Sequence, residues 1–393
     1  MDLPLYSPAP TTPFSGSFLP SDVSLLLDIV PAECVTHVAP AQKEALIQSG
    51  ARHYADMLTL ESAPSAEHMR LYRTALANGC ERMAQAIADL AASLHAQFGE
   101  TVTPHAPLVL VSLVRAGLPV GVLLQRALTD THHPTALPSV HYGVSIIRER
   151  GLDGAALAHI VATHPDSALV FVDGWTGKGA IFTELQTSLQ ALLPALPAKA
   201  YEQIYHHGHG VLPLLTLADP AGVAWLAASD DDWLMPASLL NATVSGLISR
   251  TLYPAKATDF HQAVYYSKLQ PYDQSLALVE MIDAQRHGLV GKAITPTPSP
   301  RWRAQTVIDA LAARFGISNR NRIKPTIAEA TRALLRRDPA CVLIHPDAPA
   351  EDVALIRLLC QQKNVPIVTD AQIAPYQAVT LIAQRNSAFI LHV

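Results

Sequence analysis

The sequence predicts an α/β protein in which helices cover both faces of a parallel sheet and a smaller α/β/α sandwich domain follows. Before residue 290, apolar runs of strand length alternate with segments of helical periodicity, as in parallel sheets buried on both faces. A segment rich in Gly, Ser, Thr and Pro then separates two patterned regions. A chain of 393 residues is also longer than a single hydrophobic core usually supports. We therefore expect a first domain over 1–290, a linker over 291–302 and a second domain over 303–393.

Continuous apolar runs predict the strands of the first domain, and a period of about 3.6 residues predicts its helices. The predicted strands are 105–113, 139–147, 167–173 and 223–229, and the predicted helices are 41–49, 68–97, 117–128 and 179–193. In the second domain we expect helices within 306–316, 326–337 and 348–364, and strands within 340–347 and 365–370. Residues 201–220 and 253–275 carry no assignable pattern. Ligands of such a sheet bind where the loops leave the carboxyl ends of its strands.

Charge is divided unevenly along the chain. Residues 301–393 hold 12 Lys and Arg against 7 Asp and Glu, whereas the whole chain has a net charge of −5. A basic domain on an acidic protein indicates a polyanionic partner such as RNA, although a solvated helix face has the same composition. No apolar run approaches the roughly 20 residues of a membrane span, and the Pro-rich N-terminus does not resemble a secretory signal. We expect no membrane association.

The cysteines are few and scattered. Cys34, Cys80, Cys341 and Cys360 form no CxxC pair, which excludes a zinc ribbon and gives no disulfide framework. The reducing cytoplasm is therefore the expected location. The histidines of the run 205–210 (His206, His207 and His209) are adjacent rather than spaced on one helical face, so a solvated loop is favoured there over a metal site.

The strongest chemical signal is a strand that ends near Asp173 and passes through a small-residue loop into a helix. Backbone N–H groups of such a loop, together with the helix dipole, can surround a phosphate. Asp173 is a candidate for binding ribose hydroxyls or a metal. The loop comprises Gly174, Trp175, Thr176, Gly177, Lys178, Gly179 and Ala180. The spacing fits neither a Walker A loop nor a dinucleotide fingerprint, and a glycine-rich turn without a ligand is the alternative.

A second strand–turn–helix unit carries a positive charge at its turn. Ser112 lies in the strand, and Arg115, Ala116 and Gly117 form the turn, which suits a diphosphate group. A capped turn with a surface arginine is the alternative. After a third strand, Arg148 and Arg150 are further candidates for ligand binding, and both are expected on the same side of the sheet if the strand extends that far. Solvent-facing charges beyond the end of the strand are the alternative.

Two polar clusters in apolar surroundings are candidates for recognising a base. One contains His53, Tyr54 and Glu61, and the other contains Asp230, Ser238, Asn241, Thr243, Ser245 and Arg250. Buried polar groups need partners, but these need not be ligands. Ser238 and Asn241 have the alternative role of capping a helix that runs through Gly246.

The two loop units together resemble the phosphoribosyltransferase family. VSLVRAGLPVG is similar to its diphosphate loop, and FVDGWTGKGAI is similar to its signature for phosphoribosyl diphosphate. The resemblance implies that residues 176–179 hold the 5′-phosphate and that Asp173, Arg115 and Lys178 are catalytic. It also implies Mg²⁺ as cofactor, with Asp173 as its protein ligand. Gly174 departs from the family pattern, which has a second acidic residue there.

Across most of residues 15–255 the chain resembles StiP-type, or Ter-associated, phosphoribosyltransferase-like proteins of tellurite- and stress-resistance systems. IQSGARHYADML, HYGVSIIRERG and LLNATVSGLISRTLY carry this resemblance besides the two loops. It implies transfer from phosphoribosyl diphosphate to a base, a nucleoside-like metabolite or an RNA-linked acceptor. One alternative is a non-catalytic nucleotide- and RNA-binding sensor or adaptor. Another is a cysteine protease, although neither Cys34, which has His37 nearby, nor Cys80 lies in a recognisable protease motif.

Within the second domain, residues 323–368 resemble the pelota C-terminal domain and the kink-turn-binding ribosomal proteins. Glu329, Thr331 and Arg332 match the family's helix, but Thr326 and Ala328 replace the glycine and asparagine that contact RNA. The implied RNA binding therefore depends on general basicity. The candidates are Arg320, Arg322, Lys324, Arg332, Arg336 and Arg337. A domain kept for protein contacts is the alternative.

Overall fold

A computed structural model describes residues 14–205 and 210–383, so His206, His207 and His209 lie outside the described residues. The predicted fold class is confirmed: an α/β domain with a parallel sheet precedes a smaller sheet domain. The strands are β1 Ser24–Leu26, β2 Asp28–Ile29, β3 Leu108–Val114, β4 Ser139–Ile147, β5 Gly151–Leu152, β6 Leu169–Trp175, β7 Leu214–Ala218, β8 Leu226–Ser229, β9 Gln262–Ala263, β10 Ile323–Pro325, β11 Pro339–Ile344, β12 Ile367–Thr369 and β13 Ala378–Ile382. The helices are α1 Pro40–Gln48, α2 Ala66–Phe98, α3 Gly117–Thr129, α4 Gly154–Thr163, α5 Ala180–Leu192, α6 Lys199–Tyr205, α7 Ser275–Arg286, α8 Gln305–Arg314, α9 Ile327–Arg336 and α10 Ala354–Lys363.

The main sheet has the strand order β1-β4-β3-β6-β7-β8, and these six strands are parallel; β5 pairs antiparallel with β4. Strand β3 is central, and Val111 pairs with Tyr142 on one side and Phe171 on the other. This register brings the carboxyl ends of β3, β4 and β6 together at one edge. The loops that follow Val114 and Trp175 therefore lie side by side.

Helices cover both faces of the main sheet, as expected for buried parallel strands. Helices α2, α3 and α7 bury apolar side chains on one face, and α4, α5 and α6 do so on the other. Helix α3 approaches β6 closely: a Cβ at Gly117 would lie 2.2 Å from the Val172 carbonyl oxygen. Packing of α3 on β6 therefore requires glycine at this turn, whether or not a ligand binds.

The C-terminal sheet has the order β10-β13-β11-β12, with β13 antiparallel to β10 and β11. Helix α8 packs on one face, and α9 and α10 pack on the other. The buried residues of α9 and α10 belong to the same apolar cluster as those of α2, so one continuous core joins the two sheets. The predicted limits at 290 and 303 stay a prediction. The intervening chain runs along α2, where Lys292 and Ile294 donate backbone N–H groups to Asp89 and Ser93.

The unassigned segments contain regular structure. Residues 201–220 include most of α6 and β7, and residues 253–275 include β9. Residues 236–238 and 242–244 form two short 3₁₀ turns, so the expected helix through Gly246 is absent from this described stretch. Instead, the Ser238 hydroxyl donates to the Met235 carbonyl. Within the described ranges, no helix combines the length and apolar character needed to cross a bilayer.

Candidate functional site

A cavity of about 1340 Å³ lies at the carboxyl edge of the main sheet. The chain that follows β3, β4 and β6 forms its floor, residues 43–68 form one wall, and α9 with the end of α10 closes it from the C-terminal domain. Ligands of open parallel sheets bind at this edge, so the cavity is the candidate functional site.

Positive charge dominates the lining of this cavity. Among the described residues, eleven Lys and Arg but only four Asp and Glu line it. Two of the four acids interact with arginines there: Glu61 with Arg115, and Glu329 with Arg148. An excess of partly desolvated cations favours binding of anions.

The deepest cation is Arg115, whose side chain is only 4% exposed. Its guanidinium lies 2.8 Å from Glu61 Oε1 and donates to the Ile248 carbonyl. Glu61 also accepts the backbone N–H of Ala242. Burial alone would raise the pKa of Glu61, but Arg115 and Arg336 hold it below its ordinary value. Glu61 is therefore the anion that compensates this end of the cavity.

Two further arginines stack on aromatic rings beside the cavity. Arg332 of α9 lies 4.6 Å from the Trp175 ring centroid, and Arg250 lies 5.2 Å from that of Tyr54. Arg250 also donates to the carbonyls of Tyr54 and Met57. Burial lowers the pKa of each guanidinium to about 10, and repulsion from Arg115 adds to the effect. Ring stacking thus fixes the positions of Arg250 and Arg332, while nearby acidic groups only partly neutralise their positive charges.

The loop after β6 faces the C-terminal domain. A Cβ at Gly177 would lie 2.8 Å from Glu329 Oε1, and one at Gly179 would lie 2.5 Å from the Trp302 ring. Lys178 donates to the carbonyls of Arg320 and Ile323, and burial lowers its pKa to about 7. Side chains of the linker and of the second domain therefore cover the turn that was expected to hold a phosphate.

Tyr376 attaches this loop to the C-terminal sheet. Its ring is fully buried, and its hydroxyl donates to the Gly177 carbonyl at 2.9 Å. We expect Tyr376→Phe to destabilise the protein by about 1–2 kcal/mol, because the carbonyl loses its buried donor while the ring still fills its space. Thermal unfolding measures this loss. Tyr201→Phe, at an exposed ring, should leave the midpoint unchanged.

Asp173 is the only carboxylate of the expected Mg²⁺ site. It is 8% exposed, and its Oδ1 accepts the backbone N–H of Gly174. Burial raises the pKa of Asp173 to about 7. In the described chain, no three His, Cys, Asp or Glu side chains are grouped to hold a metal. One carboxylate is too few to hold Mg²⁺ by protein ligands alone. No other feature of the described residues tests the Mg²⁺ cofactor, which stays a prediction.

The structure brings most of the expected ligand-binding residues to the cavity. Those lining it are His53, Tyr54, Arg115, Ala116, Arg148, Asp173, Trp175, Thr176, Gly177, Gly179, Ala180, Asn241 and Arg250. Those outside the lining are Ser112, Gly117, Arg150, Gly174, Lys178, Ser238 and Ser245. Strand β4 ends at Ile147, so Arg148 and Arg150 diverge: Arg148 contacts Glu329, whereas Arg150 stacks on Tyr253.

The expected RNA-binding residues do not form an exposed surface. Only Arg320 is exposed; Arg322 and Lys324 are buried, and Arg332, Arg336 and Arg337 are half-buried. All but Arg320 line the cavity. Thr326, at the position of the family's glycine, has φ +74°, a backbone conformation that favours glycine. Its hydroxyl accepts the Glu329 N–H and caps α9.

Two aspartates that the sequence did not point to accept hydrogen bonds from the segments around the cavity. Asp219, at the end of β7, accepts the Thr176 hydroxyl at 2.5 Å and the N–H groups of Val223 and Ala224. Asp232 accepts the N–H groups of Ile327 and Gln377 and so joins the two domains. An apolar run that ends in Asp, as at Asp173, is the signal that could have identified Asp219.

The four cysteines, all described, differ in environment. Cys34 is exposed, Cys80 is half-buried, and Cys341 and Cys360 are buried. Burial raises the pKa of Cys80, and raises that of Cys341 to about 12 and that of Cys360 to about 11. His37, three residues after Cys34, has its Nε2 within 2.6 Å of the Ala32 carbonyl oxygen.

Solved structures similar to this chain include two trypanosomatid phosphoribosyltransferases. The hypoxanthine phosphoribosyltransferase of Trypanosoma cruzi is 14% identical, with 39% of this chain and 82% of that chain covered and a TM-score of 0.28. The HGPRT-ase of Leishmania tarentolae is 16% identical, with 38% and 77% covered and a TM-score of 0.28. These scores are too low to support an argument about function.

The sequence comparisons correct the predicted activity. The chain is 43% identical, over 94% of its length and 94% of the relative's, to the cysteine protease StiP of Acinetobacter baylyi. A family model described as "Tellurite-like stress resistance cysteine protease StiP" matches residues 16–283. The interpretation as a phosphoribosyl-transferring enzyme is therefore wrong. The covered turn at Gly177 and the missing acid at Gly174 are physical features that agree with this correction.

The resemblance of the first domain to StiP-type proteins and of the second domain to the pelota domain is confirmed. A second model, the PELOTA RNA binding domain, matches residues 302–384. The first model spans more than half of the chain, and the relative named above is alike over nearly its whole length. The names of this family and of the relative are those of an enzyme. The chain therefore belongs to the family of the tellurite-like stress resistance cysteine protease StiP.

Proposed function

We propose that this chain is a thiol-dependent peptide hydrolase in which Cys34 is the nucleophile. The name of the family and of the relative from Acinetobacter baylyi supports peptide hydrolysis. The observation that selects Cys34 is its exposure, since it is the one exposed thiol of the four. Burial raises the pKa of the other three thiols, which disfavours the thiolate form that acts as the nucleophile.

His37 is the proposed base. Because its Nε2 faces the Ala32 carbonyl, we assign the ring proton to Nε2, which leaves Nδ1 free to accept a proton. The described residues include no Cys34–His37 hydrogen bond, so the proposed step requires the exposed His37 ring to turn toward Cys34. The thiol would then transfer its proton to Nδ1, and the sulfur would attack the peptide carbonyl to form a thioester. The amine would leave with that proton, and water would then hydrolyse the thioester and restore the thiol.

The test compares Cys34→Ala and His37→Ala with Cys80→Ala in the full-length protein, using a mixture of fluorogenic peptides. We expect each of the first two substitutions to lower kcat/KM more than about 1000-fold, and Cys80→Ala to leave it within twofold. Iodoacetamide should label Cys34 first and abolish hydrolysis. Peptide hydrolysis that persists in Cys34→Ala, or that is lost only in Cys80→Ala, contradicts the assignment.

We also propose RNA as a partner of the C-terminal domain, supported by the family model that matches residues 302–384. Arg320 is the one expected contact that is exposed, so RNA that uses the others would have to reach the cavity. Fluorescence anisotropy with a kink-turn oligoribonucleotide tests this proposal, and Arg320→Gln should weaken binding severalfold. Equal binding by the variant would remove Arg320 from the interface. The cytoplasmic location stays a prediction.

A further inference from the structure

Four arginines from both domains converge on one end of the cavity. Arg115 and Arg250 come from the first domain, and Arg332 and Arg336 come from α9. Each of the last three has its pKa lowered by burial and by repulsion from Arg115, and Arg336 is also repelled by Arg332 and Arg250. Glu61 lies against this group; Asp173 and Glu329 also attract Arg332, but Glu329 pairs with Arg148 as well. Burial of like charges at this density disfavours the protein without a ligand.

The hydrogen-bond donors of these arginines are also incompletely used. Arg336 donates to Asn241 and Arg332 to the Ala237 carbonyl, yet the Nε of each has no acceptor among the described residues. Nη1 of Arg250 likewise has none there. Unpaired buried N–H groups carry a free-energy cost, and functional sites are where proteins retain such groups.

We propose that this end of the cavity binds a small ligand with clustered phosphate groups, such as a nucleoside diphosphate or triphosphate. Arg332 and Arg336 would contact its phosphates together with Arg115 and Arg250. Guanidinium groups suit phosphate oxygens because they donate paired N–H groups in a plane. The site is therefore composite, and the C-terminal domain contributes half of its cations.

A small ligand suits the geometry better than an RNA helix does. The Arg115 side chain is 4% exposed, and α9 closes the cavity above it, so a duplex cannot reach the arginines without separation of the domains. The cavity has a volume of about 1340 Å³, whereas ordinary small-molecule pockets have volumes of roughly 300–1,000 Å³. It therefore has room for a nucleotide. The apolar side chains of Ile147 and Leu240 lie in the same lining and would suit a ring. This inference is independent of the proposed thiol chemistry, because Cys34 is not part of the lining.

The test titrates the full-length protein calorimetrically with tripolyphosphate, adenosine triphosphate and a single-stranded oligoribonucleotide. Arg332→Gln/Arg336→Gln, which removes two positive charges, is compared with Arg357→Gln, which removes one from an exposed position on α10. We expect the double variant to weaken tripolyphosphate and nucleotide binding at least tenfold, and the control to change it less than twofold. Salt should weaken binding to the native protein.

Thermal unfolding separates loss of binding from loss of folding. Without ligand, the double variant should unfold no earlier than the native protein, because it removes mutually repelling charges. Tripolyphosphate should raise the midpoint of the native protein and not that of the double variant. Three results would overturn the proposal: no binding of tripolyphosphate or nucleotide, equal weakening by Arg357→Gln, or binding of the oligoribonucleotide alone.

Discussion

Replacing Glu61 by alanine is expected to destabilise the protein by about 3–5 kcal/mol, the usual cost of removing one partner from a buried ion pair. Glu61 lies 2.8 Å from Arg115, and the two side chains are 15% and 4% exposed. It also lowers the electrostatic cost of burying Arg336 and accepts the Ala242 N–H. Its removal leaves two buried cations without their nearest anion and one backbone donor without an acceptor. Chemical denaturation measures the change.

The matched control is Glu67→Ala. Glu67 also pairs with an arginine, Arg70, at 2.6 Å, but those side chains are 46% and 61% exposed. Water and salt screen exposed pairs, so the control should change stability little. A loss at Glu61 no larger than that at Glu67 would show that water screens the Arg115 pair. Tripolyphosphate should recover part of the loss in Glu61→Ala if the phosphate site is present, since it supplies the missing negative charge.

The sequence predicted the sheet well where local pattern decides structure. The apolar run 105–113 became the central strand β3, and the long periodic segment 68–97 became α2, bounded by Ala66 and Phe98. Short elements escaped detection because few residues carry their pattern. Strand β1 has three residues, and β13, which pairs antiparallel with β10 and β11, follows an irregular turn. In these elements tertiary pairing, rather than local propensity, decides the structure.

The candidate site was predicted only in part, because local sequence pattern locates the strand ends but not the packing of the second domain. Arg115 and Asp173 lie at adjacent strand ends, which the alternation of strands and helices implies. The closure of the site was not predictable, because Glu329 reaches Gly177 only after the second domain packs on the first. The basic residues of α9 were expected to face solvent, but the apolar residues of α9 fix that helix against the first domain and direct Arg332 and Arg336 into the cavity. Periodicity locates the polar face of a helix and does not say what covers it.

Asp173→Asn is expected to stabilise the protein increasingly as pH rises. Burial raises the folded-state pKa of Asp173 from 3.8 to about 7. A carboxyl with a raised pKa binds its proton more tightly when folded, so the native protein loses stability as pH rises from about 4 to 7. The loss attributable to Asp173 should be about 2–3 kcal/mol between about pH 5 and pH 8, at 1.36 kcal/mol per pH unit over the titrating range. Asparagine keeps the carbonyl oxygen that accepts the Gly174 N–H and carries no charge at any of these pH values.

The difference between native and variant stability isolates Asp173 from other groups that titrate in the same window. Asp232, with its pKa raised to about 7, and Asp153, with its pKa raised to about 6, give the native protein further pH dependence, and both are present in the variant too. Denaturation at several pH values should show this difference widening toward pH 8 and then levelling. Asp347→Asn, at a side chain that is 88% exposed, should show no such trend. A constant difference across the range would mean that Asp173 is already ionised at pH 5, held so by Arg332 and Arg148.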